Sequence, residues 1–222
     1  MESSRFALGR SRPLRLVVMP ARVQVVGAAS ASGEAALATA PILASALVAE
    51  AHCALEDLGY EVDGLALAGP SGPTAAGVHP HDLDTAWASL RHLTRAACAP
   101  EASLPSGAAA PLAVPVAHAV KADALVFVQA VALVRGKNLR RFVRALETFS
   151  GEIDWPGTQE DLTWVEVALV DGRSGELLML AAEVVERRVA RNPRKIITEA
   201  VSRTVGVLPH RGEPSAWGRE LA

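Results

Sequence analysis

The sequence predicts an α/β domain: one mixed β-sheet of about five strands, flanked by helices and ending in a β-hairpin and a closing helix. Three observations predict it. Ala124 to Val134 is the most apolar run of the chain and reads as a strand apolar on both faces, which belongs mid-sheet. Thr163–Val170 and Leu177–Val185 are β-rich runs on either side of Asp171-Gly172-Arg173-Ser174-Gly175, a turn whose chemistry specifies a hairpin. Leu43, Leu47, Ala51, Leu55 and Leu58 recur at helical spacing, with Gly59 as a natural stop.

The elements follow in order. Residues 1–13 are a polar, basic arm. Leu14 to Val26 is valine-rich and loosely alternating, a first strand, and Gly27 to Thr39 is small and polar, a loop. Pro41 sits where a first helical turn accepts proline, so a helix is expected over Ile42–Leu58. Tyr60–Ala68 reads as a second strand, closed by the Gly69-Pro70-Ser71-Gly72-Pro73 turn cluster. Asp82 or Asp84 can cap a helix running to about Cys98, with Leu83, Trp87, Leu90 and Ala97 along one side. Ala99–Pro111 lacks any periodic pattern and is expected as a surface loop, followed by a short helix from about Pro115 to Lys121. After the central strand, Leu139, Phe142, Val143, Leu146 and Phe149 form the apolar face of a further helix. Asn192-Pro193 caps the last helix, continued by Ile196, Ile197, Ala200, Val201 and Thr204. Residues 14–206 are therefore expected as a single domain, with 207–222 a loose tail.

Composition narrows the function classes. Of 222 residues, 50% are hydrophobic and 21% charged, enough apolar surface to offset the entropy of folding one domain. A net charge of −2 argues against a nucleic-acid binder that draws affinity from a broad basic surface. No apolar run approaches the roughly 18 residues of a membrane span. Cys53 and Cys98 fall in predicted helices without metal-ligand spacing and read as two buried small hydrophobes, a disulfide remaining the alternative.

Among chemical motifs, the densest set of metal-ligand types is His79-Pro80-His81-Asp82, with Asp84 beside it. His79, His81 and Asp82 are the candidates for a metal-dependent hydrolase; the competing reading is a polar loop ending in a helix cap. His52 and His118 lie among alanines and valines, where packing explains both. Gly136-Lys137-Asn138 lacks the remaining features of a phosphate loop, and no nucleophile elbow occurs. Arg135, Lys137, Arg140, Arg141 and Arg144 concentrate positive charge on one helix. That face suits an acidic protein partner, anionic lipid headgroups or a nucleic-acid backbone, against the plain and favoured alternative of a solvated outer face.

The C-terminal half carries a resemblance. Ala122-Asp123-Ala124-Leu125-Val126-Phe127-Val128, then Val165 to Val170 leading into Asp171-Gly172-Arg173-Ser174-Gly175-Glu176-Leu177, then a closing helix, resembles bacterial envelope accessory proteins. That group includes the curli-secretion lipoprotein, the lipoprotein activator of penicillin-binding proteins and the N-terminal domain of TolB. The resemblance implies a non-enzymatic accessory or scaffold domain without cofactor, assembling with itself or with an envelope complex, and it carries over no catalytic residue. The related lipoproteins begin with an export signal and a lipid-bearing cysteine, whereas the first cysteine here is Cys53. A periplasmic or outer-membrane-associated protein is expected where a leader precedes this sequence, and a cytoplasmic one otherwise. Two alternatives stand beside this reading: the metal-dependent hydrolase, and a cytoplasmic adaptor that binds an anionic partner through the arginine-rich helix.

Overall fold

The computed structural model describes residues 5–6, 15–27, 32–65, 77–98, 110–134, 162–186, 193–206 and 208. In chain order these form β1 (Arg5–Phe6), β2 (Arg15–Val18), β3 (Arg22–Gly27), α1 (Ser32–Asp57), β4 (Glu61–Gly64) and α2 (Pro80–Cys98). A 3₁₀ turn at Pro111–Ala113, α3 (Val114–Val120), β5 (Ala124–Val134), β6 (Leu162–Asp171), β7 (Leu177–Glu186) and α4 (Pro193–Val205) complete the order.

The strands form one mixed sheet in the order β1-β7-β6-β5-β2-β4, with β3 also on β5. β5 is the axis: β2 and β3 run parallel to it on one side and β6 antiparallel on the other. Such a strand has no solvent face, which is why its sequence is apolar at consecutive positions. One face of the sheet, with Leu16, Val18, Val126, Val128, Val167 and Met179, packs under α1 and α4. The other, with Val17, Met19, Leu125, Phe127, Val170 and Leu180, packs under α2, α3 and the 3₁₀ turn. The predicted mixed-sheet α/β architecture is thus the observed one, with hairpin and closing helix in place.

Several boundaries differ from expectation, each for a physical reason. The strand expected over 14–26 is two strands, because Pro20 has no N–H to give a ladder. Val18 lies opposite Val126 and Arg22 opposite Gln129, so residues 19–21 stand against only 127 and 128 of β5. This one-residue excess is a bulge, and it turns Arg22 onto the α2 face of the sheet. The loop expected over 27–39 is mostly helix: α1 begins at Ser32 and carries Pro41 inside it. Glu34, Ala35, Ala36, Leu37 and Ala38 are strong helix formers, and their summed propensity outweighs the one hydrogen bond that proline removes.

α2 starts at Pro80, two residues before the expected cap, with proline in the first turn. Ala110, assigned to a surface loop, is fully buried, and its N–H donates to Gly175 O at 2.6 Å. The short helix spans 114–120 and ends at Lys121 in a left-handed conformation. Arg5–Phe6, within the stretch read as an arm, adds antiparallel to the outer edge of β7, and Leu208 is buried beside α4. The helix predicted over 139–149 lies outside the described residues, as do residues 66–76 and 99–109.

Candidate functional site

The N-terminal end of α2 holds the candidate metal residues. Asp82 accepts the backbone N–H of His79 at 3.3 Å, the reciprocal half of a capping box, while His79 O accepts the N–H groups of Asp82 and Leu83. Thr85 Oγ1 donates to His81 O, and Asp84 pairs with Arg22. His79, His81 and Asp82 are all solvent-exposed. Among the described residues no group of three His, Cys, Asp or Glu side chains is placed to hold a metal ion. The cap is therefore what this geometry performs. Asp82→Ala is expected to lower stability by about 1 kcal/mol, read from the denaturation midpoint. The cationic residues Arg135, Lys137, Arg140, Arg141 and Arg144 lie outside the described residues.

A polar row crosses the α2 face of the sheet where sequence reasoning expected only core. Arg22 of β3 stands opposite Gln129 of β5, and Gln129 opposite Glu166 of β6. Arg22 turns toward α2, where it pairs with Asp84 and lies over the Trp87 ring, 5.1 Å from its centroid. Half-burial is the main cause that lowers the pKa of its guanidinium; Asp84 opposes this and Arg91 adds to it. Trp87 in turn meets Phe127 edge-on, with centroids 5.0 Å apart. Deeper in the row, Gln129 Nε2 donates to Glu166 Oε1 at 2.8 Å, both side chains being buried. Burial pushes the Glu166 carboxyl up to about 8, against the pull of the Gln129 amide. The signal in the sequence was the lone glutamine of an apolar run and the glutamate between Val165 and Val167.

A surface shaped to receive another molecule lies on the opposite face, beside the start of β3. Among the described residues, no strand pairs with the outer edge of β3, because β4 runs along β2 and ends at Gly64. There Leu65 N–H still reaches Val18 O at 2.9 Å. An open groove of about 570 Å³ lies at the start of this edge, walled by Pro20 and Ala21 of the connection from β2 to β3 and by Ala44, Val48 and Cys53 on α1, with Leu65 also lining it.

Helical periodicity explains the wall. Leu43, Leu47, Ala51 and Leu55 point into the core, so Ser45, Ala49 and Cys53 form a second stripe on the exposed side. Ile42, 66% exposed, continues that stripe. Cys53 was expected to be buried and is instead an exposed free thiol, because it lies off the Leu47–Leu55 stripe; the side chain of Cys98 lies outside the described residues. His52, half-buried at the groove, reaches Glu56 at 3.2 Å, and His118 is exposed on α3. No helix among the described residues is long and apolar enough to cross a membrane.

No family model and no curated protein sequence matches the chain. Several solved structures are similar to the chain at low identity. The PelC dodecamer from Paraburkholderia phytofirmans is 9% identical, covering 94% of this chain and 98% of that one, with a TM-score of 0.47. Lipoprotein GNA1162 from Neisseria meningitidis is 12% identical over 88% and 98%, with a TM-score of 0.37. A putative neuraminyllactose-binding hemagglutinin homolog from Helicobacter pylori is 12% identical over 90% and 83%, also with a TM-score of 0.37.

Proposed function

We propose that this chain is a non-enzymatic accessory or scaffold protein of the bacterial cell envelope, acting through protein–protein assembly with itself or with an envelope complex. The observation that carries the assembly is the outer edge of β3, which has no strand partner among the described residues and starts beside the apolar groove of α1. An unpaired strand offers a row of N–H and C=O groups, and a partner strand satisfies them while its side chains fill the neighbouring groove. α1 supports the same reading: it presents apolar or small side chains on its outward stripe as well as on its core stripe, the pattern of a helix covered on both sides. The envelope setting is supported by the resemblance of the hairpin sequence to envelope accessory proteins.

The test is a single substitution on the groove wall. Ser45 is exposed on a helix, so Ser45→Arg leaves folding stability within about 0.5 kcal/mol while setting a bulky cation in the groove. Light scattering on the purified protein and chemical cross-linking in envelope fractions then compare the two chains. Assembly in the wild type that weakens at least tenfold in Ser45→Arg supports the reading. A wild-type chain that stays monomeric and uncross-linked, or assembly that ignores Ser45→Arg, overturns it.

A further inference from the structure

The row through Gln129 leaves two buried oxygens without a hydrogen bond, Gln129 Oε1 and Glu166 Oε2. They belong to the two side chains already joined by the 2.8 Å bond from Gln129 Nε2 to Glu166 Oε1. Because these residues stand directly opposite each other on β5 and β6, amide and carboxyl meet across the centre of the sheet. Both free oxygens are acceptors while the carboxyl is ionised, and neither can satisfy the other. One proton on Oε2 changes that oxygen into a donor. The pair is then complete, with amide N–H to carboxyl oxygen and carboxyl O–H to amide oxygen.

We propose that Glu166 and Gln129 form a proton-operated clamp between β5 and β6: Glu166 Oε2 carries a proton that it donates to Gln129 Oε1, and the clamp opens when that proton passes to solvent. Around the pair, Trp164 and Ala168 flank Glu166 on β6, Phe127 and Val131 flank Gln129 on β5, and Ala182 of β7 stands opposite Glu166. Along the same row, Arg22 of β3 is engaged with Asp84 of α2, and Arg91 of α2 acts on Arg22; at the other end of this face Arg15 of β2 pairs with Asp63 of β4. Glu183 of β7 belongs to the opposite face, where it pairs with Arg203 of α4. The proton affinity of Glu166 is set first by burial, against which the amide pulls. Deprotonation leaves a buried carboxylate with one hydrogen bond, and the sheet must admit water to stabilise it.

The sign follows from linkage. The unfolded chain releases this proton near the ordinary carboxylate value of 4.5, the folded chain near 8. Between those values the folded state holds one more proton than the unfolded state, so the clamp's stabilisation is complete below the window and is lost as pH rises through it.

Denaturant unfolding of the wild type and Glu166→Gln from pH 5 to pH 9 tests the clamp, because the glutamine amide keeps both hydrogen bonds with no proton to lose. At pH 5, just inside the window, the two proteins are expected to differ by no more than about fivefold in folding constant. Relative to Glu166→Gln, the folding constant of the wild type then falls by up to tenfold per pH unit across the window. Infrared spectroscopy at pH 7 reads the proton directly, as a protonated-carboxyl band present in the wild type and missing in Glu166→Gln. Parallel pH profiles, or a wild type without that band, overturn the proposal.

Discussion

Gly172→Val is expected to cost about 3 kcal/mol of folding stability, read as a lower denaturation midpoint with an unchanged slope. The hairpin turn between β6 and β7 packs against the connection from α3 to β5, and Gly172 N–H donates to Asp123 O at 2.7 Å. A β-carbon at Gly172 would stand 2.5 Å from Ala122 O and 2.8 Å from Asp123 O. Both obstacles are backbone carbonyls, so no side-chain rotation relieves them. Ala122 and Asp123 lead straight into β5, whose first residues are fully buried, and the connection cannot back away without disturbing that strand. The neighbouring Arg173 is exposed, and Arg173→Val serves as the control, changing stability by no more than about 0.5 kcal/mol.

Trp87→Ala is expected to cost more, about 4 kcal/mol. The indole is 2% exposed, meets Phe127 edge-on, and carries the Arg22 guanidinium over its face. Its removal leaves a cavity between α2 and β5, and takes away the aromatic surface that makes the half-buried position of Arg22 tolerable. Because Arg22 retains Asp84, the charge itself stays paired, and most of the loss is packing. Arg22→Ala, which keeps the indole, is expected to lose only about 1 kcal/mol in the same denaturant titration.

The architecture was legible where burial is written in consecutive residues. Ala124–Val134 could be a central strand because all of it is apolar except Gln129, and Asp171–Gly175 could be a hairpin because Asp171 closes the turn with its own carboxylate. That carboxylate accepts the N–H groups of Arg173 and Ser174. Other features depend on partners far along the chain. Gln129 is the one polar residue of β5 and Glu166 the one polar residue within the run Trp164–Val170 of β6, and only the register of β5 on β6 makes them a pair. The stretch that links those strands is too long for turn geometry to set that register. The groove was illegible for a different reason: its walls are mostly alanine, serine and proline, which carry no chemical signature and acquire meaning only from their place between α1 and the start of β3. Pro41 misled because proline in a first turn and proline inside an alanine-rich helix look alike in sequence.

The parallel pairing of β2 with β5 also sets a timetable for the newborn chain. The backbone N–H of Arg15 donates to the carboxylate of Asp123 across 108 residues. A ribosome adding about 5–20 residues per second needs roughly 5–20 s to make that stretch. For that interval β2 can pair only with β4, and β3 has no strand partner among the described residues. Loop closure over such a distance is slow, whereas β6 and β7 zip locally as soon as both have emerged. The late-made C-terminal half, with β5 at its edge, thus becomes the template on which the early-made N-terminal strands complete their sheet. Until then the valines of β2 and β3 are the part of the nascent chain most in need of protection from other chains.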